Sequence, residues 1–384
     1  MDFSKKVAIV TGGASGIGAC CVEEFLKNNI KAVIIADISD GTKLADELNK
    51  KYGSGRVLFV KTDVSDQDCF ENTFKTTIEH YENVDILVNC AGIIDEFNWR
   101  KMYQVNLFGT ATGCELAIKY LPKYRSGAKG YIINISSLLG VMPYEAGPNY
   151  SASKHALVGL TRCYGMNKTL AKQGICIMAL CPGRTATPLD AAYDASRIIY
   201  TESIEEIGNF DILVNCAGII DEFNWRKMYQ VNLFGTATGC ELAIKYLPKY
   251  RSGAKGYIIN ISSLLGVMPY EAGPNYSASK HALVGLTRCY GMNKTLAKQG
   301  ICIMALCPGR TATPLDAAYD ASRIIYTESI EEIGNYVLQE PEVVGKSAIE
   351  ILGKGESGSI WGIDTGDLFE IHLLTYETLL RNKK

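Results

Sequence analysis

The sequence predicts a doubly wound α/β fold, with helices covering both faces of a parallel β-sheet. The first observation is an apolar strand, KVAIV at Lys6–Val10, that runs into a glycine-rich turn and then a helical segment. The second is the continued alternation of short apolar strands with helical segments, which is typical of parallel sheets. The third is a repeat: residues 85–209 recur letter for letter as residues 211–335.

The repeat has a period of 126 residues and contains no substitution. Architectural repeats usually have periods of 20–50 residues and diverge, so this one does not indicate a solenoid. Without one copy the chain would have 258 residues, the size of a single α/β domain. We therefore interpret the chain as one such domain with a duplicated middle.

The junction residues indicate how the duplication arose. Val84 precedes the first copy, Phe210 separates the copies, and Tyr336 follows the second. The first base of a Tyr codon joined to the last two bases of a Val codon can encode Phe. Phe210 is therefore the residue expected from a tandem duplication of 126 codons. A recent exon duplication and an error of assembly or gene prediction both fit, and the lack of substitutions favours the error.

Composition places the chain among globular proteins without a polyanionic partner. Of the 384 residues, 47% are hydrophobic and 21% charged, and the net charge is −2. This balance gives no indication of nucleic-acid binding. No signal-peptide core or membrane span is evident, so we expect a cytoplasmic protein. The 13 cysteines lack CxxC spacing and the four histidines lack metal-ligand spacing, which predicts reduced thiols and no metal.

The glycine-rich turn, TGGASGIG at residues 11–18, predicts a nucleotide site. A strand, a glycine turn and a helix together present free backbone N–H groups and a positive helix end to a pyrophosphate. A turn without a ligand is the alternative. The residues expected to bind the cofactor here are Gly12, Ser15, Gly16, Ile17 and Gly18.

Acidic residues at two further strand ends extend this site. The second strand, KAVIIAD, ends in Asp37, 19 residues after Gly18. A carboxylate there accepts hydrogen bonds from the adenosine ribose and repels a 2′-phosphate, which favours NAD over NADP. A solvated strand end is the alternative for Asp37. The third strand, VLFVKTDV, places Asp63 and Val64 where an adenine would lie.

The repeated segment carries the candidate catalytic residues. A fourth strand, DILVNCAG, and a fifth, YIINISS, precede Tyr150 and Lys154 in the helical segment YSASK. Residues at i and i+4 share a helix face, so the ammonium lies beside the phenol. A nearby positive charge lowers the pKa of a tyrosine and makes it a usable base. A Tyr and a Lys at this spacing arise by chance in many helices. The position of the pair after a strand that ends in Ser is what favours a catalytic role.

Together these motifs resemble the short-chain dehydrogenase/reductase family. TGGASGIG, DILVNCAG, YQVNLFG, NISS, YSASK and CPGRTAT stand in the order and spacing of that family. Within it, the chain is similar to the NAD-dependent 15-hydroxyprostaglandin dehydrogenases and their insect alcohol-dehydrogenase-like relatives. The resemblance implies a Rossmann-type sheet with strand order 3-2-1-4-5-6-7 and oxidation of a secondary alcohol to a ketone with NAD. It also implies a homodimer for the unduplicated form.

The resemblance also implies roles for particular residues. Tyr150 would be the general base and Lys154 would bind the nicotinamide ribose, while Ser137 would hold the substrate oxygen and Asn106 would position a relay water. A strand-end cap is the alternative for Ser137, and a helix-interior hydrogen bond for Asn106. Further cofactor contacts are implied for Cys90, Gly92, Pro182, Gly183, Thr185 and Thr187. The second-copy equivalents, predicted to be inactive, are Asn232, Ser263, Tyr276 and Lys280.

Two departures from the family pattern concern specificity. Cys90 replaces the second Asn of the usual Asn-Asn-Ala-Gly, which removes one cofactor contact. Gly147 stands where the prostaglandin enzymes carry a substrate-contacting Gln. We therefore expect a small apolar secondary alcohol as substrate, bound in part by the apolar and mixed stretch at residues 188–209. The sequence does not set the direction of the reaction, so a reductase is an alternative.

The predicted organisation follows from the duplication. Residues 1–209 form a Rossmann dehydrogenase domain, 210–335 duplicate 84–209 without a glycine loop, and 336–384 supply the seventh strand. We expect the first copy beside strand 1, which leaves strand 4 of the second copy with an apolar, unpaired edge. The second copy could also dock on the first as an internal pseudo-dimer, since the helices after strands 4 and 5 form the dimer interface of the family. The alternative function is a non-catalytic or misassembled nucleotide-binding product.

Overall fold

The chain forms two compact units. The computed structural model describes residues 2–183, 185, 187, 189, 211–251, 254–313, 315 and 337–374. The first unit comprises Met1–Ser137 and Tyr164–Ser196, and the second comprises Leu138–Cys163 and Arg197–Lys384. Residues 138–163 of the first copy thus belong to the same unit as the second copy, a division that differs from the sequence boundaries at 209 and 335.

The first unit contains a six-stranded parallel sheet in the order β3-β2-β1-β4-β5-β6. Its strands are β1 Val7–Thr11, β2 Ala32–Asp37, β3 Val57–Lys61, β4 Ile86–Asn89, β5 Gly130–Ile135 and β6 Ile175–Leu180. Its helices are α1 Gly16–Lys27, α2 Thr42–Tyr52, α3 Gln67–Tyr81, α4 Trp99–Tyr103, α5 Thr110–Tyr124 and α7 Lys168–Lys172, with a π-helix at Gln104–Gly109. Helix α6, Pro148–Met166, crosses the boundary between the units.

The first copy of the repeat completes this sheet. Ala8 pairs with Ile86 and Val10 with Val88, so β4 lies parallel to β1 as expected. Both strands are apolar and fully buried, which is typical of parallel strands covered on both faces. On one face, α1 and α2 pack an apolar cluster against the strands. The doubly wound fold predicted from the sequence is confirmed.

The second unit contains a five-stranded sheet in the order β11-β10-β9-β8-β7. Its strands are β7 Ile212–Asn215, β8 Gly256–Ile261, β9 Ile301–Pro308, β10 Ile360–Asp364 and the antiparallel β11 Asp367–Glu370. Besides residues of α6, its helices are α8 Trp225–Tyr229, α9 Thr236–Tyr250, α10 Pro274–Gly291, α11 Lys294–Lys298 and α12 Pro341–Lys354, with a π-helix at Gln230–Gly235.

The seventh strand lies in this second sheet. The register joins Ile360 to Ala305 and Trp361 to Leu306, so β10 pairs with β9 of the second copy. The predicted strand order is therefore confirmed for strands 1–6, while the seventh strand follows strand 6 of the second copy. At the opposite edge, Ile212 and Val214 of β7 are 42% and 44% exposed. This confirms the apolar edge expected for a strand 4 without a strand 1.

Within the second unit, α6 packs against α10, which has the same sequence. A Cβ on Gly159 would lie 2.7 Å from the ring of His281, and a Cβ on Gly285 would lie 2.7 Å from the ring of His155. Glycine at these two positions permits the close approach of the helices. In each contact the glycine comes from one copy and the histidine from the other, and the two contacts are related by interchanging the copies. This relation is that of two-fold symmetry.

Two hydrogen bonds obey the same symmetry. The backbone N–H of Tyr144 donates to Sγ of Cys289 at 3.3 Å, and that of Tyr270 donates to Sγ of Cys163 at 3.2 Å. The residues of each pair lie in different copies of the repeat. The helix pairing anticipated for an internal pseudo-dimer is thus present inside the second unit. Among the described residues, no helix has the length and apolar character needed to cross a membrane.

Candidate active site and nucleotide site

The glycine turn after β1 has a backbone that other residues would not adopt easily. Gly12 and Gly16 have φ angles of +65° and +54°, a region that favours glycine. A Cβ on Gly18 would lie 2.1 Å from the carbonyl oxygen of Gly12. The turn is therefore closed by backbone packing, and larger residues would open it.

The N-terminus of α1 fits an anion. Ser15 is the N-cap residue, yet its side chain makes no capping hydrogen bond, and no acidic residue lies in the first turn, which includes Ile17. The first N–H groups of a helix lack partners within the helix and carry a partial positive charge. These groups and the glycine turn form a cradle of the kind that binds a pyrophosphate.

Asp37 is oriented beside this cradle. Its Oδ2 accepts a hydrogen bond from the backbone N–H of Ala14 at 3.0 Å, and its Oδ1 accepts one from Ser39 at 2.9 Å. The first bond links the carboxylate directly to the glycine turn. A carboxylate in this position fits the ribose hydroxyls of a dinucleotide.

Asp63 lies in a local turn at the end of β3. Its Oδ1 accepts hydrogen bonds from the backbone N–H and the hydroxyl of Ser65, at 2.8 and 2.6 Å. Partial burial opposes ionisation of Asp63, but the two bonds from Ser65 hold its pKa below the usual value. Val64 is buried. Its side chain packs so closely against Gly109 that a Cβ on that glycine would lie only 2.7 Å away. Contact of Asp63 and Val64 with an adenine stays a prediction.

Thr11 is a site residue that the sequence reasoning missed. Its Oγ1 accepts hydrogen bonds from the backbone N–H groups of Cys90 and Ala91, at 2.9 and 3.1 Å. The hydroxyl therefore fixes the exit of β4 against the start of the glycine turn. The sequence indicates this role only through the position of Thr11 at the beginning of the TGG motif. Cys90, predicted as a cofactor contact, and its neighbour Gly92 lie at this exit.

Asn106 lies in the π-helix between α4 and α5. Its Oδ1 accepts from the backbone N–H of Ile93 at 2.8 Å, and its Nδ2 donates to the carbonyl of Ile93 at 2.9 Å. Asn232 makes the same pair of bonds with Ile219, at 2.8 and 3.0 Å. The amide joins the loop after strand 4 to a π-helix, a geometry often found at functional sites.

Tyr150 and Lys154 share one face of α6, as predicted. The Nζ atom of Lys154 lies 5.6 Å from the centroid of the Tyr150 ring. The equivalent distance between Lys280 and Tyr276 on α10 is 5.7 Å. Both copies therefore hold the lysine amino group beside the ring of the tyrosine. Ser137 follows β5 in the first unit.

The second copy forms a cavity of about 570 Å³ that contains its catalytic equivalents. Ser263, Tyr276 and Lys280 line it, together with Cys216 and Gly218. Burial raises the pKa of the Tyr276 phenol, an effect that Ser263 only partly opposes. Burial also lowers the pKa of Lys280 to about 8. These shifts move both groups towards their neutral forms, away from the phenolate–ammonium pair that alcohol oxidation needs.

A buried carboxylate, also missed from the sequence, positions Tyr276. Glu222 is 1% exposed and accepts hydrogen bonds from the backbone N–H groups of Asn275 and Tyr276, at 3.1 and 2.7 Å. An acidic side chain at a helix N-terminus is stabilised by the helix dipole. Its counterpart in the first copy is Glu96.

The segment after β6 is described in part. Thr185 donates from its hydroxyl to the carbonyl of Gly183 at 3.0 Å, next to Pro182. Thr311 and Gly309 make the same bond in the second copy. Thr187 is described, but Phe210 and all of the predicted substrate-binding stretch except Leu189 lie outside the described residues. No disulfide joins any of the 13 cysteines, all of which lie among the described residues.

A parallel sheet, a glycine turn at a helix N-terminus and a Tyr–Lys pair define the class of dinucleotide-binding oxidoreductases. The profile of the short chain dehydrogenase family matches residues 6–198 and again residues 191–323. The chain belongs to the short-chain dehydrogenase/reductase family. The double match agrees with the duplication seen in the sequence.

Similar proteins align with about half of this chain. The 15-hydroxyprostaglandin dehydrogenase [NAD(+)] of Rattus norvegicus is 36% identical over 216 residues, which cover 55% of this chain and 81% of that protein. The development-specific 25 kDa protein of Sarcophaga peregrina is 30% identical over 189 residues, covering 49% and 73%. A solved 3-ketoacyl-(acyl-carrier-protein) reductase from Brucella melitensis, complexed with NADH, is 26% identical with a TM-score of 0.44, covering 49% and 79%.

Proposed function

We propose that this protein is an NAD-dependent dehydrogenase that oxidises an apolar secondary alcohol to a ketone. The observation that carries the proposal is the anion cradle of the first unit, with the Asp37 carboxylate bonded to the glycine turn at 3.0 Å. A carboxylate there favours NAD over NADP. The name of the rat relative, which specifies NAD(+), supports the same cofactor.

The proposed chemistry divides between the cofactor and the first copy. The glycine turn and Asp37 would hold NAD, which would supply the acceptor for the hydride of the carbinol carbon. Tyr150 takes the hydroxyl proton, and the ammonium of Lys154 on the same helix face favours the phenolate that this step needs. Ser137 hydrogen-bonds the substrate oxygen. The amide of Asn106 holds the loop at Ile93 in place, which supports its proposed role in positioning a relay water.

The substrate class is proposed at a coarser level than the names of the relatives. The similar mammalian enzymes are named for a hydroxyprostaglandin, but Gly147 removes the Gln side chain that contacts substrate in those enzymes. We therefore propose an apolar secondary alcohol as the substrate, a class that is not restricted to prostaglandins. A homodimer of the unduplicated 258-residue form and a cytoplasmic location remain proposals as well.

A matched pair of variants tests the function. The full chain is assayed for NADH formation with a panel of apolar secondary alcohols, and NAD binding is measured by calorimetry. Tyr150→Phe should lower turnover at least about 100-fold, because general base catalysis contributes that much, while NAD binding persists. Tyr276→Phe, the same change in the second copy, should leave turnover unchanged.

Each contrary outcome overturns a specific part of the proposal. Undiminished turnover in Tyr150→Phe would refute the assigned base. Loss of turnover in Tyr276→Phe alone would assign catalysis to the second copy. NAD binding without turnover on any alcohol would favour the non-catalytic product.

A further inference from the structure

The cavity of the second unit contains a buried amine that the proposed function does not use. Lys280 is 3% exposed, and its Nζ donates to the carbonyl of Ile261 at 3.1 Å. Among the described residues, no carboxylate forms an ion pair with this amine. A buried ammonium without a counter-ion is costly, so burial increases the fraction of neutral amine relative to an exposed lysine.

The amine is reached from a cavity that suits an apolar molecule. The Nζ atom of Lys280 lies 3.4 Å from the position of a Cβ on Gly218, and both residues line the cavity of about 570 Å³. That volume is typical of sites for small molecules. The apolar side chains of the lining include Val214, Ile220, Ile261, Leu265, Val344 and Ala348.

We propose that this cavity captures apolar aldehydes or ketones as a reversible imine on Nζ of Lys280. The amine lone pair attacks the carbonyl carbon, and one amine proton passes to the carbonyl oxygen to give a neutral carbinolamine. The hydroxyl of the carbinolamine takes a proton from the Tyr276 phenol and leaves as water while the C=N bond forms, and the second amine proton returns to the Tyr276 oxygen. The step requires no oxidant, reductant or nucleotide.

The groups around Lys280 suit this chemistry. The lowered pKa of Lys280, about 8, leaves a useful fraction of neutral amine near neutral pH. The raised pKa of Tyr276 keeps the phenol protonated, so that it can donate a proton to the departing oxygen. Lys280 and Tyr276 thus act in protonation states opposite to those proposed for Lys154 and Tyr150, a difference set by environment rather than by residue type.

One wall of the cavity can be altered without touching either copy of the repeat. Helix α12 contributes Val344, Gly345 and Ala348, and its sequence occurs once in the chain. A Cβ on Gly345 would meet no atom of the described residues within 4 Å. The first atom of a side chain at this position is therefore accommodated, and Gly345→Trp should narrow the cavity.

Reductive trapping tests the proposal. The full chain is incubated with octanal and sodium cyanoborohydride, and alkylated lysines are quantified by peptide mass spectrometry. Because the peptides around Lys154 and Lys280 are identical, the variants Lys154→Arg and Lys280→Arg assign the label. The fastest adduct should persist in Lys154→Arg, disappear in Lys280→Arg and form at least about tenfold more slowly in Gly345→Trp.

The expected rate advantage follows from ionisation. At a pH near 7.5, roughly a quarter of an amine with a pKa of about 8 is neutral, against about a thousandth for an ordinary lysine. The rate of the fast adduct should therefore level off above pH 8. A fast adduct that survives in Lys280→Arg, or an unchanged rate in Gly345→Trp, would overturn the proposal, as would equal reaction of all lysines. Gly345→Trp keeps the test decisive should Lys280→Arg not fold.

Discussion

The two copies of the repeat compare one amino-acid sequence in two environments. In the first copy, Ile86 and Val88 of β4 are each 2% exposed, because β1 lies beside them. In the second, the same positions, Ile212 and Val214 of β7, are 42% and 44% exposed. The sequence ILVN forms a strand in both copies, so the local sequence determines the secondary structure. The adjacent strands determine how deeply the side chains are buried.

The other end of the repeat shows the opposite difference. Met178 and Leu180 of β6 are 43% and 53% exposed, whereas Met304 and Leu306 of β9 are fully buried beside β10. Burial of a large apolar side chain stabilises by about 1.5–3 kcal/mol. Each copy therefore gains one partner strand and lacks another, and neither reproduces the complete sheet of the family.

The largest expected difference between the copies concerns nucleotide binding. Gly18→Val places a side chain where even a Cβ would lie 2.1 Å from the carbonyl of Gly12, so NAD affinity should fall at least about 100-fold through loss of the cradle. Gly345→Ala, whose Cβ would meet no atom of the described residues within 4 Å, is the control. Calorimetry checks both, and undiminished NAD binding in Gly18→Val would show that the second copy binds nucleotide without a glycine loop.

A second prediction compares the aspartates that precede strand 4. Asp85 is fully buried and accepts hydrogen bonds from the backbone N–H groups of Val7 and Ser126, at 2.9 and 2.7 Å. Asp211, its equivalent, is only partly buried. Asp85→Ala leaves the buried N–H of Val7 unpaired and should cost about 3 kcal/mol of unfolding free energy, whereas Asp211→Ala should cost roughly 1 kcal/mol.

Urea denaturation of the two aspartate variants measures this difference. Far-ultraviolet circular dichroism before the titration controls for a change in fold. Equal losses in the two variants would mean that the copies provide equivalent surroundings for strand 4, contrary to the two sheets described above.

A third prediction tests where the copies are equivalent. Gly159→Ala and Gly285→Ala each place a methyl group 2.7 Å from a histidine ring of the facing helix. Overpacking of this kind costs about 1–3 kcal/mol, and the symmetry of the α6–α10 contact requires similar costs for the two variants. Thermal unfolding compares them with Gly345→Ala, and a loss in only one variant would contradict the symmetry.

The smallest expected effect is a pH dependence at the same contact. Burial lowers the pKa of His155 to about 3 and that of His281 to about 4, and the facing Arg288 and Arg162 add to this. Because the unfolded value is near 6.5, the unfolded chain binds protons first as the pH falls. The stabilisation is complete above pH 6.5 and declines below it, by at most about 1.4 kcal/mol per histidine over the first pH unit.

Urea titrations at pH 7 and pH 5.5 measure this decline. The double variant His155→Leu with His281→Leu should show a smaller loss between the two pH values than the unaltered chain. His80, an exposed histidine in α3, supplies the control: His80→Leu should leave the pH dependence unchanged. An equal decline in the double variant would assign the effect to other groups.

Much of the fold was predictable from the sequence. The apolar runs of strands 1–6 carry strong local signals and form the expected strands, and the glycines at 12, 16 and 18 lie in the turn and first helix after β1. Cofactor binding by these glycines stays a prediction. Thr11 and Glu222 were missed because their contacts are with backbone N–H groups distant in sequence. Such contacts exist only once the chain has folded.

The position of the seventh strand could not be read from the strand patterns, because β6 and β9 have the same core sequence. Loop closure offers a physical reason for the outcome. Strand β9 ends at Pro308, much closer along the chain to Ile360 than Leu180 at the end of β6. In the flexible-chain approximation the longer connection costs roughly 1 kcal/mol more, which favours pairing with the nearer strand.

The symmetric packing of α6 against α10 has a consequence for behaviour on dilution. Two separate chains joined through such a helix pair come apart when their concentration falls below the dissociation constant. Here both helices belong to one chain, so their encounter is intramolecular and its effective concentration does not change with the amount of protein. The histidine–glycine contacts of this pair should therefore persist at concentrations so low that a two-chain assembly would have separated into its halves.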